Sequence, residues 1–245
     1  MTVTAAPATD ERDSLAARET IYRLAAALFG YPLAETQQAL EEGRVAATLD
    51  PAWRVLTGEA WPALPPSEDL TALQVGYTAT FLQGRRGRPR VPLVASAHEA
   101  LLEGQTPGNY LLNVKAFYRH FGLQAAQGDE GHAEEPDHLV AMLEFCTLLC
   151  HLEQEALNGG RDPGPFQRAQ RDFIARYLGP LLASIQECFA DARDQGLDPT
   201  LAHLIEVLSG WVAEQQAALA AQVGPSPQPG DAAAHSNADS RSLWD

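Results

Sequence analysis

The sequence predicts an all-α fold, and three observations carry that expectation. Apolar residues recur every three or four positions along most of the chain, the spacing of a helix face rather than the alternation of a half-buried strand. Proline and glycine fall between these stretches, and no Asn-Gly pair joins two alternating runs as a hairpin would. Hydrophobic residues make up 45% of the 245 positions, the ordinary content of a protein with a packed core. The expected architecture is one compact domain of about nine or ten helices, without internal repeats. It spans residues 13–222, after a flexible N-terminus at 1–12 and before a disordered Pro-, Ser- and Asp-rich tail at 223–245.

Each helix has its own signal. Asp13 or Ser14 caps the first, whose face is Ile21, Leu24, Ala25, Leu28 and Phe29, and Gly30 and Pro32 end it. A short helix from Leu33 to Glu42 stops at Gly43. Four prolines (51, 62, 65 and 66) break up the segment 44–66, with Trp53 and Trp61 anchoring it to the core. Ser67 is the expected cap of a helix whose face is Leu70, Leu73, Tyr77 and Phe81, closed by Gly84. The basic loop that follows carries Arg85, Arg86, Arg88 and Arg90 between glycines and prolines. Helical spacing resumes from Val94 to Leu102, and Pro107 opens a further helix that ends at Gly122. After an exposed connector at 123–133, a long apolar helix runs from Pro136 to Leu157. Another starts near Phe166 and should kink or break at Gly179-Pro180. Asp198-Pro199 caps and opens the last, with Leu201, Leu204, Ile205, Leu208, Trp211 and Val212 as its face.

Composition excludes several functions. A net charge of −15 lacks the basic footprint of nonspecific nucleic-acid binding and disfavours an anionic lipid surface. Three cysteines make no disulfide framework. No run approaches the ~18 apolar residues of a membrane span, and the first residues have neither a basic nor an apolar signal region. The expectation is a cytoplasmic protein.

Candidate chemistry is sparse. Cys146, Cys150 and His151 share a helix, but no CxxC pair accompanies them, so they read as core packing rather than zinc ligation. No phosphate-binding glycine motif and no GxSxG elbow is present. The arginine-rich loop reads either as a solvated loop or as a contact for an acidic partner or phosphate. The densest ionisable cluster is Glu134, Glu135, Pro136, Asp137 and His138 at the start of the long apolar helix. Pro136 suits the first helical position, and the carboxylates suit the positive end of the helix dipole. Capping alone explains the cluster. Acid–base work, or pairing with a basic peptide through arginine–carboxylate forks, explains it equally well.

Beyond these residues the chain resembles a known family. Glu135-Pro136-Asp137-His138 followed by Leu139, Leu143 and Phe145 is similar to the E-P-D-H signature of the TorD/DmsD/NarJ chaperones, which assist maturation of molybdenum-containing oxidoreductases. Leu28-Phe29-Gly30-Tyr31-Pro32, the helix from Leu70 to Phe81, Val91-Pro92-Leu93 and the run Phe173 to Leu181 resemble further family segments in the same order, covering residues 15–215. Tyr177 and Leu181 stand where the family usually has histidine and tryptophan, and Val94 to His98 also depart from its pattern. The likeness is closest to chaperones of dimethyl sulfoxide reductase-type enzymes, in the branch serving small organic or oxyanion substrates.

The resemblance implies a non-catalytic cytoplasmic chaperone. Its partner is the catalytic subunit of a molybdopterin oxidoreductase, met at an N-terminal leader that often carries twin arginines. No cofactor is expected to stay bound, though a guanine nucleotide or molybdenum cofactor in transit is compatible with the family. A monomer or a domain-swapped dimer is equally compatible. A client groove is expected from Tyr77, Phe81, Val91, Pro92 and Leu93, with Glu134, Glu135, Pro136, Asp137 and His138 at its polar end. Two alternatives stand beside this reading: a small nucleotide-binding or hydrolysing helical protein, and a purely structural helical adaptor.

Overall fold

The computed structural model describes residues 7–65, 67–83, 88–123, 135–192 and 198–227. Among them the helical spacing becomes nine α-helices, and the single extended pairing is an isolated antiparallel bridge between Val94 and His138. α1 (Pro7–Phe29) starts ahead of the expected cap at Asp13 or Ser14. Proline is tolerated in a first turn, and the buried face already begins at Leu15. α2 (Ala34–Glu41) follows after the turn at Pro32.

α3 (Arg44–Thr57) overturns the expectation of a broken segment, because Pro51 lies inside it. A proline there costs about 3 kcal/mol of helix propensity, but Val45, Leu49 and Ala52 are buried, and packing against α1 holds the helix together. Trp53 and Trp61 meet edge to face at 4.8 Å and pack on the core as expected.

α4 (Leu70–Tyr77) is capped by Asp69, whose side chain accepts from Ala72 N, and not by Ser67. Ser67 instead donates to Asp198 Oδ2 at 2.7 Å, tying this loop to the start of α9 (Pro199–Val223). A π-turn, Thr78–Leu82, widens the end of α4. The helix expected from Val94 to Leu102 is two short 3-10 pieces, Ala95–Ala97 and Glu99–Leu102. α5 (Pro107–His120) begins at its proline under a Thr106 cap.

α6 (Leu139–Asn158) buries most of its surface and leaves only a polar stripe of Glu144, His151, Glu155 and Asn158 in solvent. It packs on α1 more extensively than any other pair of elements in the fold. α7 (Gly164–Phe173), a π-turn at Ile174–Leu178 and α8 (Gly179–Ala192) follow one another, so at the expected kink or break the α-helix is interrupted by the π-turn but the chain stays helical. The wide turn absorbs Pro180: Gly179 N reaches back to Ile174 O, and a Cβ at Gly179 would sit 2.9 Å from that oxygen. Aromatic rings join α5, α6 and α7, with Tyr118–Phe145 at 4.6 Å and Phe145–Phe173 at 4.7 Å.

A polar network that the sequence reading missed crosses this core. Glu153, fully buried on α6, accepts from Arg18 Nη2 at 3.4 Å, Gln167 Nε2 at 2.9 Å and Gln170 Nε2 at 2.6 Å. Glu153 continues the buried face of Cys146, Leu149 and Cys150 at helical spacing, and its partners come from α1 and α7. Near the chain's far end, Arg171 donates to the carbonyls of Val223 and Gly224 and so satisfies the end of α9.

Candidate functional site

The expected recognition cluster lies where two non-helical segments meet at the start of α6. The peptide Val91–Ala95 runs beside Glu135–Leu139. Leu139 N donates to Leu93 O at 2.8 Å, and Ala95 N donates to Asp137 O at 3.0 Å. Arg90 N and Val91 N both donate to Thr80 O in the π-turn after α4. The strap is therefore pinned between the end of α4 and the start of α6.

Asp137 clamps this junction from inside. It has no exposed surface, and its Oδ2 accepts from Ser96 N at 2.7 Å. Its Oδ1 has no hydrogen-bond partner among the described residues. The expectation that Asp137 joins a surface acidic patch is thus corrected. Pro136 also departs from expectation: it precedes the helix in a turn, and its carbonyl accepts from Tyr118 Oη at 2.6 Å. Glu135 is exposed and closes that turn through its carbonyl, which accepts from His138 N at 2.8 Å. Glu134 lies outside the described residues, as do Arg85 and Arg86 of the basic loop.

His138 is the N-cap of α6. Its Nδ1 accepts from Val140 N at 3.2 Å, which requires a neutral imidazole with the proton on Nε2. Burial lowers its pKa, and the neighbouring Asp137 charge opposes that shift only in part. Burial also raises the Tyr110 and Tyr118 phenols, with Asp137 adding to both. His98 uses Nε2 to bond Pro92 O at 2.9 Å.

The residues expected to line a groove are elsewhere than on an open surface. Tyr77, Phe81, Val91 and Leu93 are buried in the main core, and Pro92 is half-buried. Tyr77 turns its hydroxyl to Phe29 O at 2.9 Å and packs its ring on Phe81. These side chains close the core here and present no groove wall in this conformation.

The chemistry open to this site is limited. Asp137 is sealed, His138 spends Nδ1 on a cap, and the nearby thiols are poor nucleophiles. Burial raises the Cys146 thiol well above its ordinary value and pushes Cys150 up to about 12. Both cysteines are fully buried, whereas His151 on the same helix is exposed. No group of three or more metal-ligating side chains lies together among the described residues. Likewise, no helix among them is long and apolar enough to cross a membrane.

The described residues form an all-helical core whose central helix is tied at its start to a hydrogen-bonded strap. The chain belongs to the nitrate reductase delta subunit family, whose profile matches residues 32–186. The dimethyl sulfide dehydrogenase assembly chaperone of Rhodovulum sulfidophilum is 44% identical over 235 residues, which is 93% of this chain and 92% of that protein. The selenate reductase assembly chaperone of Thauera selenatis is 32% identical over 67% of this chain and 81% of its own length. The chlorate reductase assembly chaperone of Ideonella dechloratans is 30% identical over the same shares. No solved structure gives a significant match.

Proposed function

We propose that this chain is a non-catalytic assembly chaperone for the catalytic subunit of a dimethyl sulfoxide reductase-type molybdoenzyme. The observation that carries this reading is the 44% identity, along 93% of the chain, to a dimethyl sulfide dehydrogenase assembly chaperone. The client that fits best is a dehydrogenase of that kind, because the chaperones of oxyanion reductases are more distant at 32% and 30%. The chaperone acts in the cytoplasm. It engages the client's N-terminal leader and keeps the apo-subunit receptive until the molybdenum cofactor is inserted. It holds no cofactor of its own stably. The net charge of −15 favours encounter with a basic leader. Within this reading the Glu135–His138 turn sets the geometry of the fold and leaves client contact to other surfaces.

Co-expression tests it. The tagged chain should capture a cofactor-free dimethyl sulfide dehydrogenase catalytic subunit, and the captured subunit should gain activity when cofactor is supplied. Failure to capture, or equal client maturation without the chaperone, would refute the proposal. Turnover of a nucleotide panel would instead favour the hydrolytic alternative.

A further inference from the structure

α1 and α6, the most extensively packed pair of helices in the fold, leave an open groove of about 440 Å³ between them. The two helices run antiparallel. Arg18 meets Glu153 toward one end, and Gly30 and Val140 line the groove together at the other. Ala26, Ala27 and Gly30 of α1 and Val140 of α6 pave the groove with small side chains. Arg23 stands on one wall and Glu144 and Thr147 on the other.

The outward seam of α1 has the spacing of a helix contact. Ala16, Thr20, Arg23, Ala27 and Gly30 recur at alternating intervals of four and three residues, and none of them is buried. One helix packs along another at that spacing. A solvated helix face usually carries long charged side chains, whereas this seam has only Arg23 among small residues. Small residues let two helix axes approach to about 8 Å.

The charges in the groove balance. Arg23 and Glu144 are both exposed, and neither makes a hydrogen bond or ion pair with another described residue. The chain as a whole carries 32 carboxylates against 17 lysines and arginines. Beyond the groove the charges turn mostly acidic. Glu135 precedes α6 at one end, and Asp13, Glu19 and Glu155 lie past the other, with Arg12 and His151. Two chains of net charge −15 repel one another, so copies can meet only along a stretch whose charges cancel.

We propose that this groove is an interface between two copies of the chain, with α1 of each copy seated in the α1–α6 groove of the other. The contact is self-complementary, as a twofold axis requires. Arg23 of one protomer pairs with Glu144 of the partner subunit, and Glu144 pairs with the partner's Arg23. Each chain keeps all its own helices, so the dimer forms without exchange of segments. The inference goes beyond the chaperone reading and does not depend on it. The groove is only about two helical turns long, so the interface is small and the dimer weak and reversible.

Sedimentation equilibrium of the full chain, from micromolar to submillimolar concentration, tests the interface. The wild type should pass reversibly from monomer to dimer. Arg23→Glu and Glu144→Arg should each weaken association by about tenfold or more, because the twofold axis repeats every like-charge contact. Their melting temperatures should match the wild type, since neither side chain has a partner within the described chain. Mixed in equal amounts, the two variants should associate like the wild type, because the acidic variant then faces the basic one at both contacts. Ala27→Trp, which obstructs the groove from an exposed position, should also weaken association. A wild type that stays monomeric throughout, single variants that associate like the wild type, or a mixture that stays monomeric overturns the proposal. So does a dimer that survives dilution and both charge reversals, which would assign association to exchanged segments.

Discussion

Replacing Asp137 decides whether the motif at the start of α6 contacts the client or holds the fold. Asp137→Ala removes the acceptor of Ser96 N, a hydrogen bond at 2.7 Å to a buried carboxylate. Bonds of this charged type contribute about 1.5–3 kcal/mol. The same change relieves the burial of Oδ1, which has no partner, and this offsets roughly 1 kcal/mol. A net loss of about 0.5–2 kcal/mol remains, or a fall of roughly 1–8 °C in melting temperature for a chain of this size. Asp137→Asn keeps an oxygen for Ser96 N and removes only the charge. It should therefore melt within about 1 kcal/mol of the wild type and capture the client equally well. Differential scanning fluorimetry and client capture, run side by side, check both variants. If Asp137→Asn melts normally but no longer captures the client, the clamp reasoning is wrong and the carboxylate itself meets the partner.

Gly76→Ala should destabilise even though alanine is the better helix former, because the new Cβ would lie 2.6 Å from Asp198 Cβ. The expected cost is about 1–3 kcal/mol, read as a lower urea midpoint, and a raised midpoint would contradict it. Glu153→Ala leaves Arg18 buried without its carboxylate and should cost about 3–5 kcal/mol by urea denaturation. The depressed His138 pKa means that the unfolded chain takes up protons first as pH falls below about 6.5. Its contribution is complete above that pH and is lost as pH falls through the lower folded value. His138→Asn, which can still accept at the cap, should flatten that part of a pH–melting profile.

The fold was largely legible because its helices announce themselves by period. The faces at Ile21–Phe29, Leu70–Phe81 and Leu201–Val212 are where the spacing put them, and Asp198 and Pro107 start their helices as helix-start chemistry requires. Pro51, read as a breaker, was misjudged, and at Pro180, read as a kink or break, the chain stays helical past an interruption of the α-helix by the π-turn. Local rules charge a proline for the hydrogen bond it removes, whereas packing on α1 or a widened π-turn supplies the compensation from elsewhere in the fold. Ser67 was misjudged similarly: it has the chemistry of a cap, but its hydroxyl went to Asp198 across the fold, and Asp69 took the cap.

The Glu135–His138 segment was legible as the opening of the central helix and illegible as a geometry. Glu135-Pro136-Asp137-His138 does open the central helix, but sequence spacing alone cannot say which of these side chains points inward. At a helix start the backbone has left the helical period, so neighbouring residues no longer share a predictable face. What turns Asp137 inward is a partner 41 positions away, the amide of Ser96, brought there by a strap with no regular period of its own. The same strap carries Val91 and Leu93 into the core, which is why apolar residues that look suited to a groove instead close the interior.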